Sequence, residues 1–209
     1  MSTEAADTRR TWLSVDLLAF TEDADQSRLV LIRREGTPHQ GALTLPGGLL
    51  DAGEGETVED AARRIAREKI GVEITGGIAS LGWVSDTGRD ERGHTVSLMV
   101  ATRVPAETPG AVLPEKVPID MPFGHTGMVV KSLHLLDDRL FTDPSTTYAL
   151  LGTRTTPSRA ISLGTAISGD TRSAVRSRFL RGGLYLPTDA TEPTKGRPER
   201  VYAVPGLRG

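Results

Sequence analysis

The sequence predicts an α+β protein: a mixed strand-and-helix unit followed by a smaller unit of two short helices and a β-hairpin. Two observations predict this. Strand-like apolar runs and one amphipathic helix dominate up to about residue 140, and beyond Phe141 the pattern changes to short helices and a hairpin. The charge divides at nearly the same place. From Leu150 onward there are ten Lys/Arg and four Asp/Glu, a balance of +6, against −8 for the rest of the chain. An acidic unit joined to a basic one suggests that only the C-terminal part meets a polyanion, although a basic solvated face reads the same on charge alone.

Residues 1–10 read as a disordered polar tail. Thr11–Phe20 and Arg28–Arg33 are rich in Val, Leu and Ile and read as strands around the turn TEDADQS. A loop over Gly36–Leu45 leads into LPGGLL, a strand end running into glycines. Val58–Ile70 places apolar residues close to helical spacing, and Gly71 stops it. Ile78–Val84 and Thr95–Val104 read as strands flanking the charged loop SDTGRDERGH. After a proline-rich stretch, His125–Leu140 reads as a helix. The domain division is expected at 11–143 and 144–209.

Several classes are excluded. No apolar run approaches the roughly 18 residues of a membrane span. MSTEAADTRR has no apolar core of signal-peptide type. Cysteine is absent, which removes disulfides and thiolate metal sites. The expected location is the cytoplasm, with no membrane partner.

The segment Leu45–Val72, LPGGLLDAGEGETVEDAARRIAREKIGV, resembles the Nudix box. That pattern is a glycine, five residues, Glu, seven residues, then Arg-Glu-apolar-x-Glu-Glu-x-Gly-apolar. Anchoring on Gly71 aligns Arg64 with the motif Arg and Glu68 with one Glu of the pair. Counting back from Arg64 selects Glu56 as the upstream Glu, whereas the spacing from Gly48 selects Glu54. The resemblance implies a Nudix α/β/α sandwich. The family's chemistry is metal-assisted attack of water on a pyrophosphate, and hard Mg²⁺ needs several converging carboxylates. Here Ile65 and Lys69 stand where the family has metal-binding Glu residues. The expectation is therefore a box without catalytic or metal-ligating residues: Glu54, Glu56, Arg64 and Glu68 are vestigial, no cofactor is required, and Mg²⁺ binding is at most weak.

Leu81–Val104 resembles the strand–loop–strand of Nudix proteins specific for ADP-ribose, which often carry an Arg-Asp-x-Arg-Gly loop. In this chain the loop is Arg89, Asp90, Glu91, Arg92 and Gly93. Guanidinium groups suit a diphosphate because each offers a planar fork of donors. Arg33, Arg34, Gly47, Gly48, Arg89 and Arg92 are the expected ligand-binding residues.

In the basic segment, Thr156 is a candidate N-cap and Pro157 a first-turn residue for a helix reaching Ile167. Ser168–Gly169 makes a turn, and Asp170 is the expected N-cap of TRSAVRSRFLRGG. Two short helices around a tight turn make a helix-turn-helix candidate. LYLPT and RVYAV then flank a polar loop as a hairpin wing. Arg159, Arg172, Ser173, Arg176, Arg178, Lys195 and Arg197 are the expected DNA contacts. Arginines on the second helix suit guanine edges, and wing cations suit phosphates.

LPGG, the degenerate box, GRDERG, RSRFLRGGLYLPT and GRPERVYAV together resemble the Nudix-related transcriptional regulator (NrtR) family, over roughly residues 12–204. That resemblance implies a dimeric repressor controlling NAD-related or other metabolic genes. Its partners are double-stranded operator DNA and an ADP-ribose-like effector. The alternatives are an active Nudix pyrophosphatase acting on ADP-ribose-like substrates, and a constitutive DNA-binding protein that keeps its Nudix unit only for dimerisation.

Overall fold

The computed structural model describes residues 11–194 and 196–206; the expected N-terminal tail and Lys195 lie outside them. The central strand β1 (Trp12–Thr21) is buried from Val15 onward, as expected for a continuous apolar run covered on both faces. It pairs in parallel along its whole length with β7 (Thr95–Val104), which pairs antiparallel with β6 (Ile78–Val84). On the other side of β1 lie β2 (Leu29–Val30) and then β8 (Ala111–Val112). β5 (Gly47–Leu49) adds to β1 with Asp16 opposite Gly47. The expected single strand over Arg28–Arg33 is two short ones. Leu31 donates its N–H to Gly110 O, and β3 (Ile32–Arg33) leaves the main sheet to pair with β4 (Leu43–Thr44).

One face of the sheet is covered by α1 (Val58–Ile65). Thr57 and Asp60 form its capping box, and Ala61, Ala62 and Ile65 are buried against Val15, Leu17 and Val100. The helix continues as a π-helical turn over Ala66–Ile70 before Gly71 ends it. The other face is covered by α2 (His125–Arg139) through Met128, Val129 and Leu136.

The same buried cluster runs on into the C-terminal unit, taking in Leu150, Leu163, Val175 and Phe179. That unit starts with a helix not expected from the sequence, α3 (Pro144–Leu151), capped by Asp143 accepting from Thr146 N at 2.7 Å. It docks against the start of β6: Gly77 N donates to Ala149 O at 2.9 Å, and a Cβ on Gly77 would come 2.9 Å from Ala149 Cα. Then follow β9 (Arg154–Thr155), α4 (Pro157–Ser168), α5 (Arg172–Arg181), β10 (Leu186–Glu192) and β11 (Glu199–Ala203). The three strands form one sheet in the order β10-β11-β9.

Two local expectations change. Thr171, not Asp170, caps α5, because its hydroxyl accepts from Ala174 N; Asp170 instead faces Arg178 at 3.6 Å. The first wing strand runs over Leu186–Glu192 rather than ending at Thr188, and a register shift between Pro187 and Thr191 absorbs the extra length. No helix among the described residues is long and apolar enough to cross a membrane.

Candidate ligand cavity and DNA-facing surface

A cavity of about 600 Å³ opens where β1, β3, β5, the π-helical turn, the β6–β7 loop and the start of α2 converge. Its floor is polar although it lies beside the core. Asp16, in the middle of β1, is 4% exposed and accepts from Ser14 Oγ at 3.1 Å. Only glycine fits opposite it: a Cβ at Gly47 would lie 2.2 Å from Asp16 Oδ1. His125, the first residue of α2, accepts from Leu45 N at 3.0 Å through Nδ1, which assigns the ring proton to Nε2, 3.6 Å from Asp16 Oδ1. Burial pushes the His125 pKa down, so the ring is neutral near pH 7.

Both arginines of the β6–β7 loop line the cavity, but both are engaged. Arg89 donates to Ser97 Oγ at 2.7 Å, Thr95 O at 3.1 Å and Phe123 O at 3.0 Å, while its Nε is buried without a hydrogen-bond partner. It therefore ties the segment before α2 to β7. Arg92 holds Asp90 through two bonds of 2.9 and 2.6 Å. Those bonds lower the Asp90 pKa and keep the pair ionised. Arg92 and Arg34 also flank the ring of Phe123, 5.3 and 4.7 Å from its centroid. Phe123 holds a left-handed backbone with φ of 60°, which costs a non-glycine residue about 1–3 kcal/mol and is common at ligand clamps. Arg34 donates Nε to Pro38 O and Arg33 donates Nη1 to Gly41 O, and both side chains line the cavity.

The box residues take definite places. Glu56, rather than Glu54, is the partner of Arg64, which grips it through bonds of 2.6 and 2.9 Å. Asp51 N adds a third bond to Glu56 at 2.8 Å, and Arg64 with Asp51 holds the Glu56 carboxyl at about 2. The same guanidinium reaches Glu68 at 3.3 Å and Leu49 O at 2.9 Å. Glu54 sits exposed in a one-turn helix over Ala52–Glu54. Asp16, His125, Phe123 and Lys69 also line the cavity, and the sequence reading missed them as ligand-site residues. Asp16 did leave a signal, a carboxylate interrupting the apolar run SVDLLAF.

The C-terminal arginines sort into two groups. Ser173 and Arg176 are exposed on α5, and Arg197 is exposed in the wing. Arg172 is exposed as well, with Nη1 donating to Asp25 O at 3.1 Å. Arg178 is different from what the sequence suggested. It donates to Asp137 Oδ1 and Asp137 O, each at 2.5 Å, and so clamps α5 to the end of α2. Arg159 pairs with Glu192 at 3.1 Å, and Ser158 N donates to Glu199 Oε1, so these contacts hold the wing to α4. Both arginines are ion-paired within the fold, and both side chains stay partly exposed.

A family model described as NUDIX domain matches residues 10–119. An ADP-ribose pyrophosphatase of Methanocaldococcus jannaschii is 38% identical over 73 residues, which is 35% of this chain and 41% of that protein. The ADPR responsive transcriptional repressor NtrR of Acinetobacter baylyi is 22% identical over 210 residues, 91% of this chain and 80% of its own. Shewanella oneidensis NrtR, solved in complex with a 27mer DNA, superposes with a TM-score of 0.66 at 22% identity, covering 92% of this chain and 93% of that one. The Nudix domain of the same Shewanella protein, solved with ADP ribose, gives 0.51 at 24% identity over 61% of this chain and 90% of its own. These solved structures share the fold. The NUDIX match extends over more than half of the sequence and over the sheet, glycine turn and box helix that build the cavity: the chain belongs to the Nudix family.

Proposed function

We propose that the protein is a DNA-binding transcriptional repressor whose Nudix domain binds ADP-ribose or a related nucleotide without hydrolysing it. The observation that carries this reading is α2. Its first residue, His125, forms part of the cavity, and its last turns hold the helix-turn-helix through Asp137 and Arg178. One 15-residue helix thus joins the ligand cavity to the helix that bears Arg172, Ser173 and Arg176. The names of the Acinetobacter repressor and the Shewanella complexes, which mention ADPR response, DNA and ADP ribose, support the same pairing of activities.

The protein acts as a homodimer in this reading. Leu13 and Trp83, 41% and 64% exposed, share one face of the sheet through the Val15–Leu98–Trp83 register, and suit contact with a second copy. Two winged helices on one dimer must match half-sites roughly one DNA turn apart. A ligand that favours a different spacing weakens binding only through its unequal affinity for the two states.

The test is fluorescence anisotropy with a duplex selected from a random-sequence pool, titrated with ADP-ribose. Operator binding that no nucleotide alters sinks the sensing half. For the DNA half, Arg176→Ala is expected to weaken the complex by about 1–3 kcal/mol if it reads a base edge. Unchanged affinity places recognition elsewhere. The pyrophosphatase alternative has one observation in its favour, the archaeal relative; against it, Arg64 engages both Glu56 and Glu68. Phosphate release from ADP-ribose coupled to a phosphatase, at above about 1 s⁻¹, favours the enzyme.

A further inference from the structure

The Nudix family implies a divalent metal at the box helix, and the residues present do not fit one. Ile65 is fully buried, and its Cγ1 packs close under Gly48, 3.3 Å from where a Cβ would be. Hydrocarbon therefore fills one ligand position. Glu56 and Glu68 converge on a single guanidinium, that of Arg64, which would have to release them to a metal. Among the described residues no group of three or more His, Asp or Glu side chains is arranged to hold a metal ion.

Lys69 stands in the remaining position. The π-helical turn over Ala66–Ile70 brings both Glu68 and Lys69 to the cavity wall. Such turns re-aim side chains and recur at functional sites. Glu68 is answered by Arg64, but no carboxylate among the described residues lies within ion-pair distance of Lys69. Arg33 and Arg34 on the same cavity likewise hydrogen-bond only backbone carbonyls, and neither has a carboxylate within ion-pair distance among the described residues. Arg92, by contrast, is neutralised by Asp90. Arg89 too has no carboxylate ion pair, so four cations of the cavity wall, Arg33, Arg34, Lys69 and Arg89, lack one among the described residues, and Lys69 is the one on the box helix itself.

We propose that Lys69 replaces the metal ion of the Nudix box as a fixed cation, so that the cavity binds a nucleoside diphosphate directly, without a divalent metal. A lysine supplies charge and three donors to phosphate oxygens, yet it cannot generate a metal-bound hydroxide. Binding is thereby separated from hydrolysis. This rests on the reading of the cavity as a nucleotide site and names the group that recognises the diphosphate.

The test is calorimetric titration of the full chain with ADP-ribose, with inorganic pyrophosphate and with adenosine, each in Mg²⁺ and in EDTA. The wild type is expected to bind ADP-ribose equally well in both. Lys69→Ala is expected to bind it roughly 10- to 100-fold more weakly, the usual loss for a charge-assisted contact, with adenosine binding unchanged. Lys69→Glu is expected to lose binding in EDTA and to recover part of it in Mg²⁺. ADP-ribose binding by the wild type that collapses in EDTA, or that Lys69→Ala leaves intact, overturns the proposal while the nucleotide reading stands. Metal-free, Lys69-dependent binding of pyrophosphate without ADP-ribose binding supports the proposal and rejects the nucleotide. No binding of either phosphate compound overturns both.

Discussion

Removing the clamp between α2 and α5 tests the coupling at its narrowest point. Asp137→Ala deletes one of the two acceptors of Arg178 and leaves the backbone carbonyl; Arg178→Ala removes both. Exposed ion pairs contribute about 0.2–1 kcal/mol, and breaking buried ones costs about 3–5 kcal/mol. The two side chains are 39% and 29% exposed, which places this pair near the surface limit, while the short bond raises it within that range. A coupling energy of about 1 kcal/mol is therefore expected from the double-mutant cycle, measured by denaturant unfolding. In a domain of this size that corresponds to a Tm shift of roughly 2–4 °C. The functional consequence is larger in proportion. About 1 kcal/mol is roughly a fivefold change in an equilibrium, and allosteric couplings are typically 1–3 kcal/mol. Asp137→Ala should leave the Kd for ADP-ribose unchanged by calorimetry. It should also cut several-fold the factor by which ADP-ribose changes DNA affinity in the anisotropy titration. If the cycle shows coupling but the ligand response of Asp137→Ala equals that of the wild type, α2 is a strut and not the route between the sites.

Two further outcomes follow from the cavity. Gly47→Ala places a methyl group on Asp16 Oδ1, so the carboxylate or β5 must shift; we expect a loss of about 1–3 kcal/mol in denaturant unfolding together with weaker ADP-ribose binding, and a fully stable, fully binding variant contradicts the packing argument. Glu56 titrates at about 2 in the folded chain against a reference of 4.5, held down first by the bonds from Arg64 and then by Asp51 N. A depressed folded pKa stabilises above the unfolded value and is lost as pH falls through the folded one, so the contribution disappears between about pH 4.5 and 2. The unfolding midpoint of Glu56→Gln should accordingly fall less steeply than that of the wild type across this window; parallel curves reject the assignment.

What the sequence disclosed depends on how local each signal was. The run from Val15 to Phe20 is legible as a buried strand because both faces of the sheet are covered. The α1 boundaries are legible because Thr57, Asp60 and Gly71 act within one turn of the helix they delimit. Cap chemistry also marks α3, where Asp143 precedes the helix and Pro144 opens it, yet the apolar residues that follow present no clear face. The side chains whose partners the sequence does not show all act over long distances. Asp16 and His125 meet at the cavity floor, and Arg178 finds Asp137 on another helix. A helical pattern separates an apolar face from a polar one. It does not say whether the polar face meets water, DNA or a neighbouring helix.

The same limit governs the charges of the cavity, and there it alters the mechanism. Counting guanidinium groups in the sequence puts Arg89 and Arg92 foremost as diphosphate ligands. In the folded chain Asp90, two residues from Arg92, takes up its fork, and three acceptors on β7 and before α2 take up Arg89. Those arginines shape the wall and fix the entry of α2. If the cavity takes a diphosphate, the cations left to meet it are Lys69, which has no carboxylate within ion-pair distance among the described residues, and Arg33 and Arg34, each with one hydrogen bond to a backbone carbonyl. Arg89 then ties the β6–β7 loop and β7 to the segment just ahead of α2, the helix whose far end holds Arg178. A ligand that draws Arg89 or Phe123 toward itself therefore acts directly on α2.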